Sequence, residues 1–170
     1  RQSLLHSDKE RAENVMIVDL LRNDLGKSCQ PGSIRVPKLC ALESFANVHH
    51  LVSTVVGRLT ADRDALDLLR GCFPGGSITG APKQRAMQII EELEPHRRAI
   101  YCGSIAAIGY DGSLRSSITI RTLLCQRGTV HVWGGGGIVA DSSCEAEYQE
   151  SLAKIDNLCQ ELNRHESPGN

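Results

Sequence analysis

Residues 99–135 read "AIYCGSIAAIGYDGSLRSSITIRTLLCQRGTVHVWGG". Short apolar and β-branched runs are broken at Asp111-Gly112 and again at Arg127-Gly128. Asp-Gly is a hairpin signal, because the tight turns that join antiparallel strands need positive φ at their centre. The stretch therefore predicts strands paired as antiparallel hairpins, not strands separated by crossover helices. Helical patterns flank it on both sides. The fold class expected is α+β, with mixed, largely antiparallel sheets packed with helices.

Towards the N-terminus, residues 8–25 read as a helix capped by Ser7 or Asp8 and stopped by Gly26. "PGSIRVPKLCALESF" (31–45) carries turn signals and then short extended pieces, and "HHLVSTVVGRL" (49–59) reads as a strand. Residues 61–73 predict a short helix ending at Gly71. After the loop "PGGSITG" (74–80), Pro82 opens a helix to about Glu94, since proline is best tolerated in a first turn. Its apolar residues Ala86, Ile89, Ile90 and Leu93 share one face. Asp141 or Ser142 is expected to cap a last helix running to about Asn163, with residues 164–170 as a frayed tail.

A chain of 170 residues is long enough for one domain with a sizeable core. Apolar residues make up 41% and charged residues 23%, and the formal net charge is −1. Such a balance gives no global field for nucleic acid or an anionic membrane. No apolar run reaches the ~18 residues of a membrane span, and the first residues lack the apolar core of a signal peptide. Seven scattered cysteines without Cys-x-x-Cys spacing fit free thiols in the cytoplasm.

Several residues carry chemistry. Glu10 and Glu13 head a partly apolar stripe that continues through Ile17, Leu20 and Asp24. In the last helix Glu147, Glu150 and Lys154 flank an apolar stripe of Tyr148, Leu152, Ile155, Cys159 and Leu162. Two readings stand for these Glu-x-x-Glu pairs: solvated faces beside a core, or a hard-cation site. Mg²⁺ takes few protein carboxylates and keeps several waters, so one carboxylate from each helix would suffice. "PGGSITGAPK" (74–83) is a turn and cap, or a small-anion site at a helix start. It is no nucleotide P-loop, because Ala81-Pro82 stand where Gly-Lys is required. The four glycines at 134–137 read as a bulge between strand and helix, or as a backbone N–H nest. At His49-His50 strand alternation lets only one ring face inward. Arg121 lies in a β-branched stretch that alternation divides, Ile118 and Ile120 to one face and Thr119 and Arg121 to the other. It is a carboxylate clamp if that second face is a cleft, and an ordinary surface arginine if it is open.

Taken together, "ERAENVMIVDLLRNDLG", "VHHLVSTV", "FPGGSITGAPKQRAM", "SSITIRT", "GGGGIVADS" and "EAEYQESLAK" resemble, in order and spacing, the chorismate-utilising enzymes. The likeness runs from about Asp8 to Leu162, and three of the pieces look most like the aminodeoxychorismate synthase branch. The resemblance implies a Mg²⁺ cofactor held by Glu13 and Glu150, with Glu10 and Glu147 as their partners around the metal. It implies catalytic roles for His50 and Thr79, with His50 near the leaving hydroxyl. Tyr101, Arg121, Gly135, Gly136, Gly137 and Lys154 match substrate-carboxylate contacts. The activity implied is amination of chorismate to 4-amino-4-deoxychorismate, with ammonia from a glutamine amidotransferase subunit or domain, for para-aminobenzoate and folate synthesis. The anthranilate-forming branch is the nearest rival. The family's catalytic domain is longer than this chain, so the chain is expected to be the C-terminal portion of a single chorismate-binding domain. The aminodeoxychorismate branch carries Pro-Ile-Lys-Gly-Thr, whose lysine is expected upstream of Arg1. On that reading the isolated chain is a non-catalytic binding fragment with exposed strand edges.

Overall fold

The computed structural model describes residues 8–44, 49–140 and 142–165. The described elements are α1 (Asp8–Gly26), β1 (Arg35–Ser44), β2 (His49–Val56), α2 (Ala65–Cys72), a 3₁₀ turn (Gly76–Ile78) and α3 (Lys83–Leu93). They continue with β3 (Ser104–Ile108), β4 (Leu114–Ile118), β5 (Leu123–Gln126), β6 (Thr129–Val132) and α4 (Cys144–His165). The strands form three two-stranded sheets, β1-β2, β3-β4 and β5-β6. The α+β reading holds, and each described strand has a partner on one side only, as expected of exposed edges.

The hairpin signals acted as anticipated. β5 and β6 pair antiparallel, Gln126 opposite Thr129 and Leu123 opposite Val132. Arg127 and Gly128 between them have φ of 51° and 75°, the paired positive values of a type I′ turn. At the β3–β4 turn the Asp111 carboxylate accepts from the Ser113 amide at 3.0 Å, and the Gly109 amide donates to the Ser113 carbonyl at 2.8 Å.

The chain divides into two compact units, Arg1–Arg97 with Ala106–Ser117, and Arg98–Ile105 with Ile118–Asn170. In the first unit α1 turns Glu10, Glu13, Asn14, Ile17, Val18 and Asp24 inward and leaves Arg11, Val15, Met16 and Arg22 exposed. The stripe read from the sequence is therefore the buried face. Asn14 fastens it to the β1-β2 ribbon. Its amide donates to the Leu51 carbonyl at 2.9 Å, its carbonyl accepts from the Ser53 hydroxyl, and that hydroxyl accepts from the Cys40 amide at 2.8 Å. "PGSIRVPKLCALESF" forms one ten-residue strand rather than short pieces, with irregular register on both sides of Lys38. α2 is capped by Asp64, whose carboxylate accepts from the Leu66 and Asp67 amides at 2.9 Å each.

Other expectations need correction. Pro82 is the N-cap of α3 rather than its first residue. The apolar stripe of α3 is not covered: Ala86 and Ile90 are half-buried, but Ile89 and Leu93 are exposed. The core is also smaller than the length suggested. Among the described residues the buried apolar side chains are Val18, Cys29, Cys40 and Cys102. The cause is architectural, because a two-stranded ribbon such as β3-β4, exposed at nearly every position, has no second layer against it. All seven cysteines are free thiols. No helix among the described residues is long and apolar enough to cross a membrane. α4 is helical through His165, so residues 164–165 belong to it; residues 166–170 of the predicted tail lie outside the described residues, as do Ser7 and Asp141, two of the expected caps.

Candidate functional site

In the second unit the tetraglycine and α4 build one constellation. α4 begins at Cys144, where the Ser143 hydroxyl accepts from the Ala146 amide at 3.3 Å. Ser143 thus fills the capping place that the sequence assigned to Asp141 or Ser142. Ser142 turns its side chain to Glu147 instead. Its hydroxyl donates to the Glu147 carboxylate at 2.6 Å and accepts from the Val139 amide at 3.1 Å.

The face of α4 that turns inward matches the predicted stripe in its C-terminal half, where Ile155, Cys159 and Leu162 are half-buried, but not in its N-terminal half. Glu147 is 8% exposed, and Glu150, Ser151, Lys154, Ile155, Leu158 and Leu162 are half-buried. Tyr148 and Leu152, expected at the centre of the apolar stripe, are 57% and 40% exposed. The helix presents charged residues as well as Ile155 to the segment that follows β6. Lys154 makes this possible, since its ammonium lies 2.7 Å from a Glu150 carboxylate oxygen and donates to the Gly135 carbonyl at 3.2 Å.

Glycine is required where that segment crosses the helix. A Cβ on Gly134 would stand 2.6 Å from the Ser151 carbonyl oxygen and 3.1 Å from the Ile155 methyl. A Cβ on Gly136 would fall 3.2 Å from Glu147 Oε2, 3.5 Å from Lys154 Nζ and 3.9 Å from Glu150 Oε1. The bare backbone at 136 thus faces two carboxylates and one ammonium, a formal charge of −1, and a side chain would fill that space. Gly135 lies against Tyr101, whose hydroxyl would be 2.7 Å from a Cβ there. Tyr101 is held by a stack. Its ring lies 6.1 Å from Trp133 and nearly parallel at 7°, and the Arg98 guanidinium is 5.9 Å from the Tyr101 ring centroid. His131 continues the stack 5.9 Å beyond Trp133. Gly137 is half-buried.

Arg121 makes none of the hydrogen bonds, ion pairs or ring contacts that build this group. β4 ends at Ile118, so the strand expected to carry Arg121 stops short of it. Thr119 still pairs with Gly103 and is buried, its hydroxyl donating to the Ile100 carbonyl. The Ile120 amide then bonds the Ile118 carbonyl two residues back, at 3.0 Å, which curls the chain. Arg121 follows at φ 49°, exposed. The two-face alternation of 118–121 is therefore replaced by a bend.

In the first unit, Glu10 and Glu13 lie three residues apart on the inner face of α1, both half-buried. His49 and His50 open β2 as read: His49 is half-buried, with Nδ1 2.9 Å from the Ser44 hydroxyl, and His50 is exposed opposite Glu43. Thr79 closes the 3₁₀ turn, its hydroxyl donating to the Gly75 carbonyl at 3.0 Å.

The sequence did not give Asp24 a role. It is 1% exposed and accepts from Lys27 Nζ at 2.8 Å and Lys83 Nζ at 2.7 Å, both on Oδ1, and from the Gly76 amide at 3.3 Å on Oδ2. Burial alone would raise its pKa, but the hydrogen bonds and charges of the two lysines outweigh burial and hold it below the usual 3.8. The nearby Cys72 thiol is pushed up, first by burial and then by the Asp24 charge. The readable signal for Asp24 was a carboxylate continuing an otherwise inward stripe.

For a metal, the donors on offer are hard oxygens: Glu147 and Glu150 in the second unit, Glu10 and Glu13 in the first. They suit Mg²⁺, which needs only one or two protein carboxylates, and two of them, Glu147 and Glu150, come within 4 Å of where a side chain at 136 would begin. No group of three or more His, Cys, Asp or Glu side chains gathers as a metal cage among the described residues.

The class that this fold and these motifs define is confirmed by comparison. Residues 1–160 match the family model of the chorismate binding enzymes, and the chain belongs to that family. It is 57% identical over 162 residues to aminodeoxychorismate synthase component 1 of Klebsiella aerogenes, an overlap of 95% of this chain and 36% of that protein. It is 49% identical over 166 residues to anthranilate synthase component 1 of Streptomyces coelicolor, covering 98% of this chain and 32% of the relative. The crystal structure of anthranilate synthase component I from Streptococcus pneumoniae shares the fold with a TM-score of 0.84 at 41% identity, over 92% of this chain and 36% of that one. The chain therefore spans about a third of the length of these relatives.

Proposed function

We propose that the chain is part of a cytoplasmic enzyme that aminates chorismate to 4-amino-4-deoxychorismate for para-aminobenzoate and folate synthesis. The ammonia comes from a glutamine amidotransferase subunit or domain. The observation that carries this reading is the carboxylate–ammonium cluster of Glu147, Glu150 and Lys154 facing bare backbone at Gly136, in a chain 57% identical to an aminodeoxychorismate synthase component 1.

Chorismate is a dianion with a poor leaving group, a ring hydroxyl. A site for it needs a cation at one carboxylate, donors at the other and an acid at the hydroxyl. The likeness to the family supports Glu13 and Glu150, with Glu10 and Glu147 as their partners, as the residues that would hold Mg²⁺, which when bound supplies the positive charge at the ring carboxylate. Lys154, the backbone of residues 135–137, Tyr101 and Arg121 receive the enolpyruvyl carboxylate. The stack on Trp133 fixes the Tyr101 ring so that its hydroxyl reaches the glycine segment. Arg121, exposed on its bend, acts on this account only when a bound carboxylate covers it. His50 and Thr79 serve the leaving hydroxyl, His50 by delivering a proton.

A second reading within the family is anthranilate formation, favoured by the similarity to the Streptomyces coelicolor anthranilate synthase component 1. Chorismate consumption tests what both share. The full-length protein that carries this chain should consume chorismate when given ammonium and Mg²⁺, and chelation with EDTA should stop it. Consumption that continues unchanged in EDTA, or none at all with Mg²⁺ present, would remove the basis for the proposal.

A further inference from the structure

The Asp24 cluster lies outside the roles assigned above, yet it surrounds the loop that bears Thr79. Its carboxylate is the most deeply buried large side chain described. Two bonds tie it directly to the segment 71–83 and a third reaches that segment through Lys27. The Gly76 amide bonds it directly. Lys83, at the start of α3, bonds it and also donates to the Cys72 carbonyl at 3.4 Å. Lys27, one turn beyond Asp24 and the first residue after α1, bonds it and donates to the Gly71 carbonyl at 3.4 Å. The end of α2, the 3₁₀ turn and the start of α3 are thus gathered on one group. The fit is close, since a Cβ on Gly76 would lie 2.8 Å from the Leu20 Cβ and 3.4 Å from Asp24 Oδ2. Within this segment Thr79 spends its hydroxyl on the Gly75 carbonyl, so its position follows the backbone that Asp24 holds.

A buried carboxylate with two ammonium partners is costly to disturb from either side, because removing one partner leaves a desolvated charge behind. The restraint acts at the loop's two ends and its middle. We infer that Asp24 is the positioning residue of the 75–80 loop, setting where Thr79 is presented through Gly76, Lys83 and Lys27. Its bearing on turnover rests on the chorismate reading; the restraint itself does not.

The test uses the full-length protein with Asp24→Asn and, separately, Lys83→Met. Amide hydrogen exchange of residues 76–80 should speed up by about tenfold or more in both, with β1 and β2 amides unchanged. With chorismate, kcat should fall about tenfold while KM stays within about twofold, the pattern of lost alignment rather than lost binding. Lys83→Arg, which keeps the charge, should return loop exchange to near that of the parent. If Asp24→Asn does not fold, Lys83→Met decides alone. Unchanged loop exchange, or exchange that rises equally throughout β1 and β2, overturns the inference. A parent protein without chorismate turnover would count against the functional reading alone, and the exchange result would still decide the role of Asp24.

Discussion

Glu150→Ala in the full-length protein should lower Mg²⁺-dependent turnover by about 10³-fold, since a metal that stabilises transition-state charge contributes several kcal/mol. The same change should scarcely affect stability. Glu150 is a half-exposed member of an ion pair with Lys154, and pairs of that kind are worth about 0–1 kcal/mol. The loss also frees Lys154, which keeps its bond to the Gly135 carbonyl and so retains the link between helix and glycine segment. Function and fold should therefore separate cleanly at this residue. Steady-state kinetics across a Mg²⁺ series, with a thermal melt alongside, provide the check. Turnover within about tenfold of the parent, with the same Mg²⁺ dependence, would sink the metal assignment.

Gly134→Ala should do the opposite and strike stability. The new methyl would meet the Ser151 carbonyl oxygen at 2.6 Å, and that oxygen belongs to the backbone of a 22-residue helix. It has no side-chain torsion by which to move away, and Ile155 closes the other side at 3.1 Å. Either the 133–137 segment or α4 must shift, at a cost of about 2–3 kcal/mol, the range of an overpacked contact. The comparison variant is Gly136→Ala, whose methyl meets side-chain ends alone, those of Glu147, Lys154 and Glu150, at 3.2, 3.5 and 3.9 Å. Those ends can swing, so the second variant should melt close to the parent and lose chorismate affinity instead. Equal melting temperatures for the parent and Gly134→Ala would show that α4 does not pack as described.

These two glycines also show how far the sequence could be read. The run "GGGG" announced that side chains were unwelcome there, and it left a bulge and a backbone N–H nest as equal readings. The structure divides the reasons: Gly134 is bare for the backbone of the helix behind it, Gly136 for the charged side-chain ends of Glu147 and Lys154. Spacing alone cannot tell these apart, because both demand the same absence of a side chain. The hairpins were legible because turn chemistry is local, so Asp111-Gly112 and Arg127-Gly128 needed no knowledge of the rest of the chain. The inner face of α1 was legible because apolar and acidic residues shared one stripe.

The N-terminal half of α4 was misread for the converse reason, while Ile155, Cys159 and Leu162 lie half-buried as read. Periodicity ranks Tyr148 and Leu152 above Glu147 as core residues, but a hydroxyl from Ser142 and an ammonium from Lys154 make charge tolerable on the inward side. Such compensation is a tertiary fact. Arg121 was misjudged as a strand residue because β-branched neighbours signal extension, while the bend at Ile120 arises from backbone bonding that no side chain announces. Asp24 was visible as a residue and invisible as a hub, since its partners Lys83 and Gly76 lie 59 and 52 positions away.

The most direct measurement is the identity of the product. Chorismate, Mg²⁺ and ammonium incubated with the full-length protein should yield 4-amino-4-deoxychorismate, resolved from anthranilate by chromatography and mass. Accumulation of anthranilate in its place would contradict the account.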